Sequence, residues 1–284
     1  LSEAHKYQTS FSLNGEDCDI NNELVRMRIL LTTALICLVL PGLVYAGCYE
    51  DKFTVVYVNG ILTSQNDARD DLGLLGALFQ IKTGRNDVRF INGYNESHFD
   101  GLGDKIQSIA QAFNTSISDY DRNTILLQIH PQVATEKILL VGHSQGTFYT
   151  NEIYKYLTEQ VGVPKESIGV YNLATPASFV AGDGHYLTSG NDKLINAVRV
   201  WDAEAGANPP LAANMLVPVQ PGDDLDIYGG HHFQTDYLAG AGGQIVSNID
   251  SALKKLVAYR LSGVADGCFT PPPATLSYQT QKVV

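Results

Sequence analysis

Residues Glu136 to Tyr149 read EKILLVGHSQGTFY. The apolar run Ile138 to Val141 predicts a buried strand, Gly142-His143-Ser144-Gln145-Gly146 a tight turn, and the residues from Thr147 onward a helix. A serine at the apex of such a turn must take a strained backbone conformation that projects its hydroxyl above the sheet. Glycines two residues to either side leave room for strand and helix to pass close to each other. The amide of Gln145 then opens a helix N-terminus, where backbone N–H groups favour developing negative charge.

This strand, turn and helix resemble the nucleophile elbow of the α/β-hydrolase superfamily, in its bacterial lipase and esterase branch. The resemblance implies an α/β-hydrolase fold and a chain order of oxyanion loop, serine, acid and histidine. The remaining sequence agrees in outline. Phe53 to Val58 (FTVVYV) is a β-branched and aromatic strand, Asp67 to Ile81 an amphipathic helix, and Asp87 to Asn92 a short strand. Leu102 to Phe113 has helical spacing, and Asp121 to Ile129 is a mixed segment. Asn151 to Val161 completes the helix behind the serine, and the segment from Ser167 to Leu173 is a further strand. Strands alternating with helices of this length predict a mainly parallel sheet with helices on both faces.

The first strand ends in Asn59-Gly60-Ile61. In the family, a His-Gly pair and a following apolar residue stand here, and the amide of that residue is the second oxyanion donor. By resemblance this assigns the oxyanion amides to Ile61 and Gln145, with Asn59 where histidine is common. As plain sequence, Asn-Gly is also an ordinary turn pair.

A serine hydroxyl needs a base, and the base needs an acid to fix its tautomer. His185 to Asn196 (HYLTSGNDKLIN) reads as a short strand, a turn and an aliphatic pair; it is similar to the family pattern of a strand ending in an Asp-bearing turn, and that resemblance implies Asp192 as the acid. Asp202, at the end of the strand-like AVRVWD, is the alternate, and Asp183 a third candidate. The base is expected in Gly229-Gly230-His231-His232-Phe233, which with Asp236-Tyr237-Leu238 resembles the His-x-Phe…Tyr-Leu pattern around the catalytic histidine of some bacterial lipase-like proteins; the resemblance implies His231, with His232 as the alternate. His143 reads as a structural residue under the turn. The acidic run Asp223, Asp224 and Asp226 matches no calcium loop and reads as solvated, and the cysteines and histidines make no zinc site. No cofactor and no metal is implied.

The chain has 284 residues, 44% of them hydrophobic, and a formal charge of −11. That acidity disfavours nucleic acid and anionic membrane surfaces as partners. From Met27 the chain reads MRILLTTALICLVLPGLVYA, a basic start, an apolar core and a permissive cleavage site after Ala46. We read 1–26 as a non-native or disordered extension, 27–46 as a signal peptide, 47–270 as the hydrolase domain and 271–284 as an extended tail. The expected location is periplasmic, extracellular or cell-surface, with membrane contact only through the signal segment or through lipidation at Cys48. Cys48 and Cys268 then remain in the exported chain, where an oxidising compartment favours a disulfide between them. Such a bridge is worth on the order of 4–5 kcal/mol.

The expected activity is cleavage of a carboxylic ester, of a small molecule or a lipid. An acyltransferase or amidase using the same three residues, and a catalytically silent binding domain of the same fold, are the alternatives.

Overall fold

The computed structural model describes residues 51–96 and 117–259, apart from 118, 134, 205 and 207. The proposed leader, Cys48, Cys268, the helix expected over Leu102 to Phe113 and the C-terminal tail all lie outside the described residues.

Strand β1 (Phe53–Val58) is buried along nearly its whole length, as its continuous apolar sequence requires. It leads into α1 (Gln65–Thr83), which has a cap at each end. Ser64 Oγ accepts the Asp67 N–H at 3.2 Å, and Gly84 closes the helix at φ 68° by donating to the Gln80 carbonyl at 2.8 Å. Next come β2 (Val88–Asn92), α2 (Asp119–Ile129) and β3 (Ile138–His143). The segment we read as mixed is thus a helix, with Ile125, Leu126 and Ile129 on its buried side.

Helix α3 (Gly146–Lys155) follows β3 and runs on through a π-helical turn, Tyr156–Val161, to Gly162. Then come β4 (Ile168–Leu173), β5 (His185–Leu187), α4 (Lys193–Glu204), a second π-helical turn at Phe233–Leu238, and α5 (Ala239–Leu253). Helix α4 overturns one expectation, because AVRVWD is its second half and not a strand. Leu194, Ile195, Val198 and Asp202 are buried at spacings of three and four, and this helical period outweighs the β-propensity of two valines and a tryptophan.

The five strands form one parallel sheet in the order β2-β1-β3-β4-β5. Alternation along each strand divides the core in two. Val55, Tyr57, Leu139, Val141, Tyr171 and Leu173 meet Leu75 and Phe79 of α1 and Ile245 and Ile249 of α5. Val56, Val58, Leu140 and Val170 meet Ile125 and Ile129 of α2 and Ile153 of α3. Each fully buried Leu, Ile or Phe contributes about 2 kcal/mol, so the two faces together dominate what holds the sheet. The carboxyl ends of β1 and β3 lie side by side in the middle of the sheet, which places the 59–61 turn beside Ser144.

Candidate active site

Ser144 follows the last residue of β3 at φ 54°, a left-handed conformation costly for a residue with a side chain. Three contacts hold it there. Its N–H donates to the Leu173 carbonyl of β4 at 3.0 Å, and its carbonyl accepts from Thr147 N (3.0 Å) and Thr147 Oγ1 (2.8 Å). Gly146 is required by space, since a Cβ there would lie 2.2 Å from the Val58 carbonyl oxygen of β1. The 59–61 turn rests directly on the serine: a Cβ on Gly60 would lie 2.8 Å from Ser144 Cβ.

Asp192 stands at the head of α4 and is fully buried. Its Oδ1 accepts the Ile195 N–H at 2.9 Å, the bond of a helix N-cap. Its Oδ2 accepts from Tyr237 Oη at 3.0 Å, and that hydroxyl in turn accepts the Ser189 N–H at 2.9 Å. Burial, then the neighbouring Asp192 charge, pushes the Tyr237 hydroxyl well above its ordinary pKa, so it remains a donor.

His231 completes the line. Its Nδ1 lies 2.9 Å from Asp192 Oδ2 and 3.0 Å from Oδ1, and its Nε2 lies 3.0 Å from Ser144 Oγ. A carboxylate only accepts, so Nδ1 carries the proton and Nε2 is left to accept from the serine hydroxyl. Gly230, at φ 77°, lets the histidine turn reach the acid turn, because a Cβ there would sit 2.4 Å from the Asn191 carbonyl oxygen. The ammonium of Lys193 also ties the two turns. It donates to the carbonyls of Asp223, Asp224 (3.2 Å) and Asp226 (3.2 Å), while Lys193 N donates to Gly229 O at 3.2 Å. The backbone of the acidic run thus wraps the lysine; Asp224 is exposed and Asp226 partly so, as expected of a solvated run, whereas Asp223 is buried.

The alternates are placed elsewhere. The His232 ring, about half exposed, pairs with Asp226 at 2.7 Å. Asp202 is buried within α4, ten residues past the cap, whereas the Nδ1 of His231 is taken by Asp192. Asp183 belongs to a short turn, Ala181–Asp183, before β5.

His143 lies under the elbow with its ring 5.1 Å from that of His231, and its Nε2–H donates to the His231 carbonyl at 3.0 Å. Burial, reinforced by the adjacent His231, holds its pKa well below the usual histidine range, so it stays neutral. Gln145 follows Ser144 in sequence and Ile61 lines the same cavity on the turn that rests on it, and among the described residues neither amide donates to another backbone group outside the helices and strands. A polar lattice fixes both segments. Asn59 Oδ1 accepts from Asn95 N (2.8 Å), Asn59 Nδ2 donates to Gly60 O (2.9 Å), and Asn95 Nδ2 donates to Gln145 Oε1 (2.8 Å). Asn95 was not anticipated from sequence; nothing local marks it, because its partners are 36 and 50 residues away.

The serine and histidine open onto a cavity of about 560 Å³, whose lining includes Ile61, Leu62, Leu194, Tyr228 and Phe233. Asp71 of α1, also unanticipated, is another wall of this cavity. Among the described residues no cluster of histidine, cysteine or carboxylate side chains is arranged to hold a metal.

Sheet order, elbow and the sequence of elements define an α/β-hydrolase fold. No protein-family model matches the chain, and no curated protein matches it. Among solved structures, it is similar to a cutinase-like protein from Cryptococcus sp. at 14% identity and a TM-score of 0.27. That match covers 46% of this chain and 56% of the other.

Proposed function

We propose that the protein is an exported serine hydrolase that cleaves carboxylic esters through an acyl-enzyme. The observation that carries this reading is the unbroken line from Ser144 Oγ to His231 to the buried Asp192, at 3.0 and 2.9 Å, under an open cavity. Ser144 attacks the ester carbonyl while His231 Nε2 takes its proton, and Asp192 stabilises the imidazolium that forms. The amides of Gln145 and Ile61 receive the oxyanion. His231 returns the proton to the departing alcohol, then activates water against the acyl-Ser144 ester. Export rests on the Met27 to Ala46 leader pattern. Among the described residues, no helix is long and apolar enough to cross a membrane.

The test is hydrolysis of p-nitrophenyl esters of graded acyl length by the purified protein, beside Ser144→Ala. Loss of turnover on the order of 10⁴-fold or more is expected in the variant, together with loss of labelling by a fluorophosphonate. Amide turnover without ester turnover would move the assignment to an amidase. Absence of both turnover and labelling would leave a binding domain.

A further inference from the structure

Helix α1 presents a carboxylate to the cavity that the chemistry above does not use. Asp71 is only 5% exposed, and that residual surface opens on the cavity. Both of its oxygens accept from neutral groups: Oδ1 from Gln234 Nε2 at 2.7 Å, and Oδ2 from Tyr57 Oη at 3.0 Å. No lysine, arginine or histidine among the described residues forms an ion pair with it. A carboxylate taken out of water is penalised unless a cation compensates it; the two neutral donors compensate only in part, and burial raises the Asp71 pKa above its ordinary value.

Apart from His143, His231 and His232, the rest of the cavity lining is neutral or acidic. Its lining holds a second carboxylate, Asp67, and contains neither lysine nor arginine. Asp67 is exposed to water and caps α1 through Ser64, which leaves Asp71 as the buried carboxylate whose partners are all neutral. Phe233 also lines the cavity and packs on Tyr57 with ring centroids 4.9 Å apart, so an aromatic side chain stands next to the carboxylate. Carboxylate and aromatic ring together are the surroundings that select an ammonium. An anionic group would meet like charge there, and an apolar one would complete the desolvation of Asp71 with nothing in return. The formal charge of −11 adds a long-range bias in the same direction.

We propose that the preferred ester carries a cationic, ammonium-type group in the part that fills the Asp71 end of the cavity, and that Asp71 is the residue determining this specificity. The inference rests on the serine-hydrolase reading given above.

The experiment compares kcat/KM for esters that differ only in charge. A trimethylammonio-acyl p-nitrophenyl ester is set against its tert-butyl isostere and a carboxylate-bearing analogue, and a choline ester against its tert-butyl isostere for the alcohol side. At least one series should favour the cation by about tenfold, worth about 1.4 kcal/mol, with the anion poorest. In Asp71→Asn, which keeps the shape, that ratio should fall to within about twofold of unity. Tetramethylammonium should also inhibit wild-type hydrolysis of the neutral ester competitively, at lower concentration than tert-butanol; this readout needs no variant. Turnover of neutral esters with no cation preference in either series, or a preference unchanged in a folded Asp71→Asn, overturns the inference and leaves the serine mechanism standing. Failure to turn over any ester overturns both.

Discussion

The elbow and the acid–base turns meet at the same hydroxyl but are built differently. The elbow is one continuous segment between β3 and α3, held by close packing against β1 and β4. The acid and the histidine stand 39 residues apart, on turns that only long-range contacts align: Tyr237 on Asp192, Lys193 on the acidic run, His143 on the His231 carbonyl. The nucleophile is positioned by close packing and backbone bonds within and beside one segment, the base by long-range polar bonds together with a close approach at Gly230. Both constructions break when an atom is added at a close glycine, but only the acid–base turns also depend on a distant donor or charge.

The sharpest use of this difference is at the two adjacent histidines. His231→Ala should lower ester kcat/KM by about 10⁴-fold, since it removes the base. His232→Ala, which gives up a partly exposed pair with Asp226, should stay within about threefold. Steady-state kinetics on both variants decides it, and equal losses would dissolve the distinction between the two rings.

Adding an atom to the elbow is the next largest effect. Gly146→Ala should cost about 3 kcal/mol or more in urea unfolding, because the new Cβ meets the backbone of β1, which has no room to move. Gly243→Ala in α5 is the counterpart. Its Cβ meets nothing within 4 Å, so the same change should stabilise the helix by about 0.5–1 kcal/mol. If both variants lose stability alike, packing is not what singles out the elbow.

The smallest effect belongs to His143, which joins the two regions. Its folded pKa lies below the ordinary 6.5, through burial first. Between those two values the unfolded chain binds the extra proton, so stability is fully present above about pH 6.5 and is lost as the pH falls below it. The slope is about 1.4 kcal/mol per pH unit. His143→Gln removes that titration while keeping a side-chain donor. Its unfolding free energy should therefore fall less steeply than that of the wild type between pH 6.5 and 5, as read from denaturant midpoints. Parallel slopes would show that the proton on His143 does not matter to folding.

How much was legible in sequence follows the same division. The strands, α1 and the elbow could be read because each is written in contiguous residues: an apolar run, apolar positions at helical spacing from Asp67 onward, two glycines two residues either side of a serine. Asp192 and His231 were picked out by chain order and local pattern, and the structure brings both to Ser144. The roles of the site's supports were not legible, because Asn95, Asp71 and Tyr237 bond partners 14 to 163 positions away, although Tyr237 belonged to the pattern that favoured His231. Misreading AVRVWD had a local cause. Its β-branched residues argue for a strand when seen alone, and only the cap at Asp192 and the burial of Leu194, Ile195 and Val198 fix the helical period.

The carbonyl ring around Lys193 has a consequence for how the protein meets its surroundings. Loops rich in aspartate and closed by backbone carbonyls elsewhere enclose a dissolved cation, whose occupancy varies with the medium. Here the ammonium is covalently part of the next residue after the acid, so its effective concentration is set by the chain and not by the solution. The histidine turn is thus closed around a cation that the chain itself supplies.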